Sequence, residues 1–382
     1  MLLSPFYNPA LPPELFFSKE SLVYIREHLG PAIGPFLAAF AACVVLCPGA
    51  ILLARPLGLM ARPDRQRDIH RKPTARIGGL AMVAAFAAAV LWFVPLAQDI
   101  LGIVAILAFT ALVFVLDDRF GVPALVKFAI QLAVALWFIL KVGYQIDFIT
   151  MPGHGVVGLG LLALPLTLIW IVGMQNTVNL LDGVDGLAAG VVAIVAITLM
   201  IAATTKGQVN VVMMCAALIG ACCGFLLFNF HPARIFMGDS GSQFLGLALA
   251  ILSIVGVAKV AVAFAFVIPL AALAVPIADT AAAIIRRRRG GVSIAHADTQ
   301  HIHHQLLDFG LNQVETCLVF YGATGILGAF GLMLFGHKRA IAVAVVFLMV
   351  VLSTVLETHL QRSRWRLRVP GLAHLLGVTA SR

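Results

Sequence analysis

Four polar motifs interrupt an otherwise apolar sequence, and carboxylates are the main reactive groups that they carry. They are Asp117-Asp118, the block from Asn176 to Gly186, the turn from Phe236 to Ser242 and the block from His296 to His304. Asp117 and Asp118 follow an apolar run, where two adjacent carboxylates repel each other and resist desolvation. A bound cation would relieve both costs, and the alternative is an ordinary solvated helix end.

The second motif reads Asn176-x-x-Asn179-x-x-Asp182-Gly-x-Asp185-Gly186 and combines amides, carboxylates and glycines. If a helix begins here, Asn179, Asp182 and Gly186 share one face, and the glycines let a ligand approach the backbone. A helix N-terminus favours an anion, yet two aspartates repel one. A Mg²⁺–phosphate complex would satisfy both, because Mg²⁺ binds one or two carboxylates together with phosphate oxygens. Helix capping by Asn and Asp is the alternative.

The remaining motifs carry one acid and several histidines. Asp239 lies with two serines in a glycine-flanked turn before an apolar run, where it could also cap a helix. The histidine block could bind zinc, but the preceding arginine run 286–289 favours contacts with phosphate. Asp279 lies inside an apolar run, so it is either a functional group or the ion-pair partner of a basic residue such as Lys127.

The sequence around these motifs is typical of a membrane protein. Of the 382 residues, 61% are hydrophobic and 11% are charged, and the mean hydropathy is +1.02. Soluble domains are about 45–50% apolar and about 25% charged, so the composition excludes a soluble enzyme, a disordered protein and a fibrous protein. It predicts an all-α polytopic membrane protein with about 11 transmembrane helices. The predicted spans are 32–54, 78–95, 100–116, 123–142, 156–174, 187–204, 210–229, 243–257, 260–285, 316–335 and 340–356.

The basic residues predict on which side of the membrane each connection lies. Of the 26 Lys and Arg residues, 18 fall on one side, seven fall on the other, and Lys127 lies within a span. Because cytoplasmic loops are enriched in Lys and Arg, the N-terminus is predicted outside and the C-terminus inside. All four motifs then lie on the cytoplasmic face, which predicts an active site there. The net charge of +9 reflects these loops and does not indicate binding to nucleic acid.

Three segments are predicted along the chain. They are an extracytoplasmic N-terminal segment over 1–31, an integral membrane domain over 32–356 and a basic cytoplasmic tail over 357–382. Within the membrane domain, residues 144–150 alternate between apolar and polar types before Pro152-Gly153, which predicts a small external hairpin.

The four motifs together resemble those of a known family. They occur in the order seen in the bacterial polyprenyl-phosphate N-acetylhexosamine-1-phosphate transferases, which form glycosyltransferase family 4. The loop from Asp68 to Gly79 also resembles the first cytoplasmic loop of that family. The resemblance spans about residues 65–310 of the chain.

The resemblance implies an enzyme that transfers N-acetylglucosamine-1-phosphate from UDP-GlcNAc to a membrane polyprenyl phosphate and releases UMP. It implies Mg²⁺ as the cofactor, with Mn²⁺ as a substitute, and the inner membrane of a bacterium as the location. The reaction would be the first membrane step of a cell-envelope glycan. The spacing of the histidine block is more similar to the UDP-GlcNAc branch than to the branch that uses UDP-muramoyl-pentapeptide. Because Gln305 stands where the GlcNAc branch usually carries Arg, another UDP-amino sugar stays an alternative donor.

The resemblance also implies roles for individual residues. The implied catalytic residues are Asp117, Asp118, Asp182, Asp185, His303 and His304. The implied substrate-binding residues are Lys72, Lys127, Asn176, Asn179 and His301. The implied metal ligands are Asp239 and Asp118. Direct attack by the lipid phosphate is favoured over a covalent enzyme intermediate, because this phosphate is already an anionic nucleophile that positioning and metal electrostatics can assist.

Two other classes of protein share some of these features. A secondary transporter would place ionisable groups near the bilayer midplane between repeats, whereas here the polar motifs lie on one side and no repeat is evident. An intramembrane zinc protease would carry ligands on a helix, as in an HExxH motif, which the sequence lacks. Beyond the sugar nucleotide, the polyprenyl phosphate and the lipid bilayer, the sequence leaves a homodimer open.

Overall fold

The computed structural model describes residues 19–61, 73–151, 155–204, 207–256, 311–333 and 349. In these residues the chain folds into a bundle of nine α-helices with two small β-sheets. The helices are α1 (Lys19–Ala54), α2 (Gly78–Phe93), α3 (Gln98–Phe120), α4 (Ala124–Trp137), α5 (Ala163–Leu181), α6 (Leu187–Thr204), α7 (Val209–Asn229), α8 (Gly238–Val255) and α9 (Gln313–Met333). The strands are β1 (Met60–Ala61), β2 (Thr74–Arg76), β3 (Phe148–Met151), β4 (Gly155–Gly158) and β5 (Ile235–Phe236). A π-helical turn, Phe138–Val142, extends α4, and a 3₁₀ turn, Gly160–Leu162, precedes α5.

The helices have the length and composition of membrane spans. Eight helical stretches in the described ranges are long and apolar enough to cross a bilayer, and α2 is apolar but shorter, with 16 residues. Nine predicted spans overlap these helices, and the other two, 260–285 and 340–356, lie outside them. Large apolar side chains such as Leu52, Trp92 and Leu125 are exposed, as expected for contact with lipid. The chain is therefore a multi-pass membrane protein.

α8 is the central helix of the described bundle, and α4 is a peripheral one. Nearly all residues of α8 are buried, and this helix packs against α2, α3 and α5. In α4, by contrast, the buried residues are Gln131, Val134 and Ala135. The position of α4 therefore depends on few buried contacts.

A three-stranded sheet brings the starts of α2 and α8 together. β2 pairs antiparallel with β1 and parallel with β5, with Arg76 in register with Phe236. The two helices start side by side, and the Gly79 N–H donates to the Met237 carbonyl over 3.0 Å. A Cβ on Gly79 would overlap the backbone of Gly241, so this close approach requires glycine. The sequence does not predict this sheet, because its strands have only two or three residues.

The predicted hairpin is confirmed, whereas the predicted fifth span starts and ends too early. β3 and β4 pair antiparallel, and β4 with the following 3₁₀ turn occupies the start of the predicted span 156–174. The helix then continues through the polar end of its sequence to Leu181. Asn176 and Asn179 consequently lie inside α5. The predicted spans 156–174 and 187–204 had placed both residues in the connection between them.

Gly79→Ala should destabilise the protein by about 1–3 kcal/mol, because the added methyl group would push α2 away from α8. Thermal unfolding of the purified protein in detergent measures this loss. Gly49→Ala in α1 is the matched control, since a Cβ there meets no atom within 4 Å. The control should be neutral or stabilising. Equal unfolding temperatures for the two variants would contradict the close contact of Gly79 with Gly241.

Candidate active site

Ionisable and amide side chains converge at one end of the bundle, where four helices start or end. Asp117 and Asp118 lie in the last turn of α3, and Lys127 lies in the first turn of α4. Asn179 lies in the last turn of α5, and Asp239 lies in the first turn of α8. Because α3 and α5 run toward this end while α4 and α8 run away from it, motifs that are distant in the sequence meet here.

Lys127 joins two of the carboxylates. Its Nζ lies 2.5 Å from Oδ2 of Asp117 and 2.6 Å from Oδ2 of Asp239, and we call this arrangement the lysine bridge. Asn179 also contacts Asp239: its Nδ2 donates to Oδ1 over 3.3 Å and to Oγ of Ser242 over 2.9 Å. The Lys127 and Asp239 side chains are 29% and 25% exposed, so a ligand can reach them. The ammonium offsets the repulsion between two carboxylates at the end of an apolar bundle.

Asp118 holds the start of α8. One of its carboxylate oxygens accepts the N–H of Asp239 over 2.7 Å, and the other accepts the N–H of Ser240 over 3.0 Å. A carboxylate at a helix N-terminus is also stabilised by the helix dipole. Gly238 has a φ of +71°, and a Cβ there would lie 2.6 Å from both carboxylate oxygens, so glycine is required. The two neighbouring acids therefore differ, since Asp118 fixes a backbone while Asp117 takes part in the lysine bridge.

The turn between α5 and α6 carries Asp182 and Asp185. The condition under which Asn179, Asp182 and Gly186 would share one helix face is not met, because the motif ends α5 and precedes α6. The chain turns at Gly186, which has a φ of +84°. The Asp185 carboxylate accepts the N–H of Ala233 over 3.0 Å, and its Oδ2 lies 2.9 Å from Nδ1 of His231. Asp185 thus ties this turn to the loop that leads into β5.

Asp182 lies where several charges act on its carboxyl group. Burial raises the pKa of Asp182 well above its usual range, and the nearby carboxylates of Asp239 and Asp118 raise this pKa further. The Arg76 guanidinium opposes that rise in pKa. Ionisation of Asp182 is therefore costly, and a bound cation would reduce the cost.

Sequence reasoning missed residues that belong to this end of the bundle. Arg76 lies at the end of β2, beside the segment that leads into α8. Gln131 and Gln243 lie one helical turn further into α4 and α8 than Lys127 and Asp239. The i, i+4 spacing of each pair places both side chains on one helical face and was the signal that could have found them.

Several predicted site residues lie outside the described part of the chain. They are Lys72, His301, His303 and His304. Asp279 and the arginine run 286–289 also lie outside it. Their roles therefore stay predictions.

The carboxylate oxygens at this end of the bundle are suitable ligands for a hard cation that also binds a phosphate group. The carboxylates gathered here are those of Asp117, Asp118, Asp182, Asp185 and Asp239. Among the described residues, no group of three or more His, Cys, Asp or Glu side chains could hold a metal ion alone. Mg²⁺ does not need such a group, because it binds one or two carboxylates and completes its shell with phosphate oxygens and water.

Comparison with known proteins identifies the family. The model of glycosyl transferase family 4 matches residues 100–257, which include nearly all of α3, the whole of α4 to α8 and the lysine bridge. The probable undecaprenyl-phosphate N-acetylglucosaminyl 1-phosphate transferase of Bacillus subtilis is 36% identical over 334 residues, which cover 87% of this chain and 93% of that protein. The chain belongs to glycosyl transferase family 4.

Other relatives differ in how much of the chain they match. The decaprenyl-phosphate N-acetylglucosaminephosphotransferase of Mycolicibacterium smegmatis is 36% identical over 310 residues, or 73% of this chain and 76% of the relative. The phospho-N-acetylmuramoyl-pentapeptide-transferase of a Synechococcus species is 37% identical over 207 residues, or 54% of this chain and 60% of the relative. The two relatives named for N-acetylglucosamine thus match more of the chain.

Two Asp→Asn substitutions at this site should change stability in opposite directions. Asp118→Asn should destabilise the protein by about 1–3 kcal/mol, because the amide leaves one N–H of α8 without its acceptor.

Asp182→Asn should stabilise the protein, because it removes a carboxylate whose pKa is raised by burial. With this raised pKa, the contribution of protonated Asp182 to stability is present at acidic pH and is lost as the pH rises. The stabilisation by Asp182→Asn should therefore grow from acidic to alkaline pH.

Thermal unfolding in detergent, without substrate and over a range of about pH 5 to 9, measures both effects. An unchanged unfolding temperature for Asp118→Asn would contradict its contacts with the start of α8. A lower unfolding temperature for Asp182→Asn at alkaline pH would contradict the direction of its pKa shift.

Proposed function

We propose that this chain transfers N-acetylglucosamine-1-phosphate from UDP-GlcNAc to a membrane polyprenyl phosphate, with release of UMP. The observation that carries this proposal is the lysine bridge between Asp117 and Asp239 at the end of a membrane bundle. A site at the bundle end is accessible to a water-soluble nucleotide and also to the phosphate of a lipid. The relatives named for N-acetylglucosamine support the choice of donor.

The proposed site faces the cytoplasm of a bacterium, in an inner-membrane protein with about 11 spans, an outer N-terminus and an inner C-terminus. The excess of Lys and Arg on the connections at the site's end of the bundle supports this orientation. The hairpin of β3 and β4 lies on the connection between α4 and α5, at the end of the bundle opposite the site, and this end is proposed as the outer one. The segments 1–31, 32–356 and 357–382 are proposed as the outer segment, the membrane domain and the inner tail.

In the proposed reaction, an oxygen of the polyprenyl phosphate attacks the β-phosphorus of UDP-GlcNAc. The bond between this phosphorus and the oxygen that bridges to the α-phosphate breaks, and UMP leaves with that oxygen. The product is a polyprenyl-pyrophosphoryl-GlcNAc. The protein need not form a covalent intermediate, because the lipid phosphate is itself a nucleophile and correct positioning lowers the barrier.

The carboxylates prepare the site for the pyrophosphate. Mg²⁺, when bound, would neutralise the phosphate oxygens and the charge that develops on the leaving UMP. Asp239 is the proposed metal ligand, because Lys127 and Asn179 orient its carboxylate while leaving it partly exposed. Asp117 is the proposed acid beside the attacking phosphate. Asp118 contributes by fixing the backbone of α8, and its ligation of the metal is the less favoured role because both of its oxygens accept N–H groups.

Cationic and amide side chains are proposed to bind the substrates. Lys127 and Arg76 would contact phosphate oxygens. Both cationic side chains act on Asp239, the carboxylate that would bind the metal and thereby hold the phosphate nearby. Residues at the end of α5 and in the turn after it would position the nucleotide: Asn176, Asn179, Asp182 and Asp185. Residues proposed from the family resemblance alone are Lys72, His301, His303 and His304.

UMP release by the purified protein in detergent tests the proposal, with UDP-GlcNAc, polyprenyl phosphate and Mg²⁺ omitted in turn. Release should require all three components. UDP-MurNAc-pentapeptide is the second candidate donor, because a muramoyl-pentapeptide relative matches about half of the chain. Activity with this donor and not with UDP-GlcNAc would show that the proposed sugar donor is wrong and that the proposed type of reaction is right. Absence of UMP with every UDP-sugar would refute the transferase, and uptake by vesicles would then test a transporter.

Asp239→Asn and Asp117→Asn should each lower the rate of UMP release by at least about a hundredfold, because electrostatic groups at a reacting phosphate contribute that much or more. Asp99→Asn is the matched control, since Asp99 lies at the opposite end of α3 and binds Tyr144. The control should keep its rate within about twofold. Full activity of both site variants would exclude this site.

Arg76→Gln should shift the acidic limb of the pH–rate profile to higher pH. The Arg76 charge lowers the pKa of Asp182, so its removal raises that pKa, and a higher pH is then needed to ionise the carboxyl group. Arg76→Lys keeps the charge and should leave the limb near its original position. An unshifted limb in Arg76→Gln, measured by UMP release, would show that Asp182 does not govern the acidic side of the profile.

A further inference from the structure

A group of hydrogen-bonded amides lies directly beneath the lysine bridge. Nε2 of Gln131 donates to Oε1 of Gln243 over 2.9 Å and to Oδ1 of Asn176 over 3.3 Å. Nδ2 of Asn176 donates back to Oε1 of Gln131 over 2.9 Å. We call these three residues the amide layer. Gln131 and Gln243 are each only 1% exposed, so the contact between them lies inside the bundle, whereas Asn176 is an exposed residue at its edge.

Each residue of the amide layer lies one turn deeper than a residue of the charged site on the same helix. The pairs are Gln131 with Lys127 on α4, Gln243 with Asp239 on α8, and Asn176 with Asn179 on α5. Residues three or four apart share a helix face, so the amide layer and the charged residues form two stacked levels. The same three helices thus contact one another at two levels. The deeper level is the amide layer, and the upper level consists of Lys127, Asp239 and Asn179.

The amide layer fixes a helix that has few buried residues of its own. Gln131 is one of three buried residues of α4. The side-chain hydrogen bonds that join the described α4 to α8 are Gln131 with Gln243 and Lys127 with Asp239. A lysine side chain is long and flexible, so it cannot set the rotation of its own helix. The buried pair of glutamines is therefore the contact that sets the rotation and depth of α4 against α8.

We propose that Gln131 is a positioning residue for the transfer reaction, which acts by holding Lys127 in the lysine bridge. Gln131 is one turn below the site, and its partners are amides of the bundle. Loss of its side chain would leave α4 free to shift, and the Lys127 ammonium would move relative to the reacting phosphates. The inference rests on the proposed function, because the rate of transfer is what reports this position.

Gln175 provides a matched control. It lies beside Asn176 on α5, and it is fully buried. In the described structure neither Oε1 nor Nε2 of Gln175 has a hydrogen-bond partner. Gln175→Leu therefore removes the same chemical group from the same depth without breaking a described hydrogen bond, and it should keep the rate within about twofold.

Steady-state kinetics of UMP release tests the inference. Gln131→Leu should lower kcat by about ten- to a hundredfold, because a misplacement of about 1 Å has effects of this size. The KM for UDP-GlcNAc should change by less than about threefold, since Gln131 is itself buried and Asn176 keeps its hydrogen bond to the Val172 carbonyl. In a Lys127→Met background the additional loss from Gln131→Leu should disappear. An equal loss in both backgrounds would overturn the inference.

The double variant Gln131→Leu with Gln243→Leu separates positioning from simple stability. Replacing both partners of a buried hydrogen bond with apolar groups can be nearly neutral, so the unfolding temperature should recover relative to Gln131→Leu alone. The kcat should stay low, because the leucines do not restore the position of α4. Recovery of kcat together with stability would show that Gln131 is merely structural. Absence of UMP release from the unsubstituted protein would instead refute the proposed function itself.

Discussion

The lysine bridge is the contact on which the rest of this site depends. Asp117 and Asp239 come from different helices, and both lie at the end of an apolar bundle where carboxylates lose hydration. Two such ionised groups repel each other strongly because their repulsion is weakly screened there, and a cation between them offsets that repulsion. Lys127 provides this cation in the described structure. A metal bound with a phosphate ligand could provide it during the reaction.

Backbone contacts place the carboxylates before their side chains interact. The glycines at 79 and 241 let α2 and α8 approach, and the short sheet aligns the segments that lead into these helices. Asp118 then captures the first N–H groups of α8, and Gly238 leaves room for its carboxylate. These contacts direct the start of the central helix toward the lysine bridge. The site is thus built on the most buried helix of the described bundle, which suits a reaction that depends on positioning.

The sequence predicted the membrane bundle and the meeting of three of its four polar motifs, because composition and the order of motifs along alternating spans are sufficient for both. The fourth motif, the histidine block, lies outside the described residues. It did not predict the role of Asp118, since no local pattern shows that this carboxylate reaches a helix start that is distant in the sequence. Hydropathy also placed the end of α5 too early, because the polar residues around Asn176 remain helical when they face a polar partner. Arg76 was missed because its position follows from a three-residue strand, which is too short to leave a pattern.

A double-mutant cycle on the lysine bridge is the most direct test of its central place. The cycle compares the free energy of unfolding of Lys127→Met, Asp117→Asn and the variant with both changes, in detergent and without substrate. Lys127→Met leaves two carboxylates unbalanced and should be clearly destabilised, and the added Asp117→Asn should recover part of the loss. An interaction energy of about 0.5–3 kcal/mol is expected for residues in direct contact. Additive losses would show that Lys127 does not hold these acids together, and the site would then lack its organising contact.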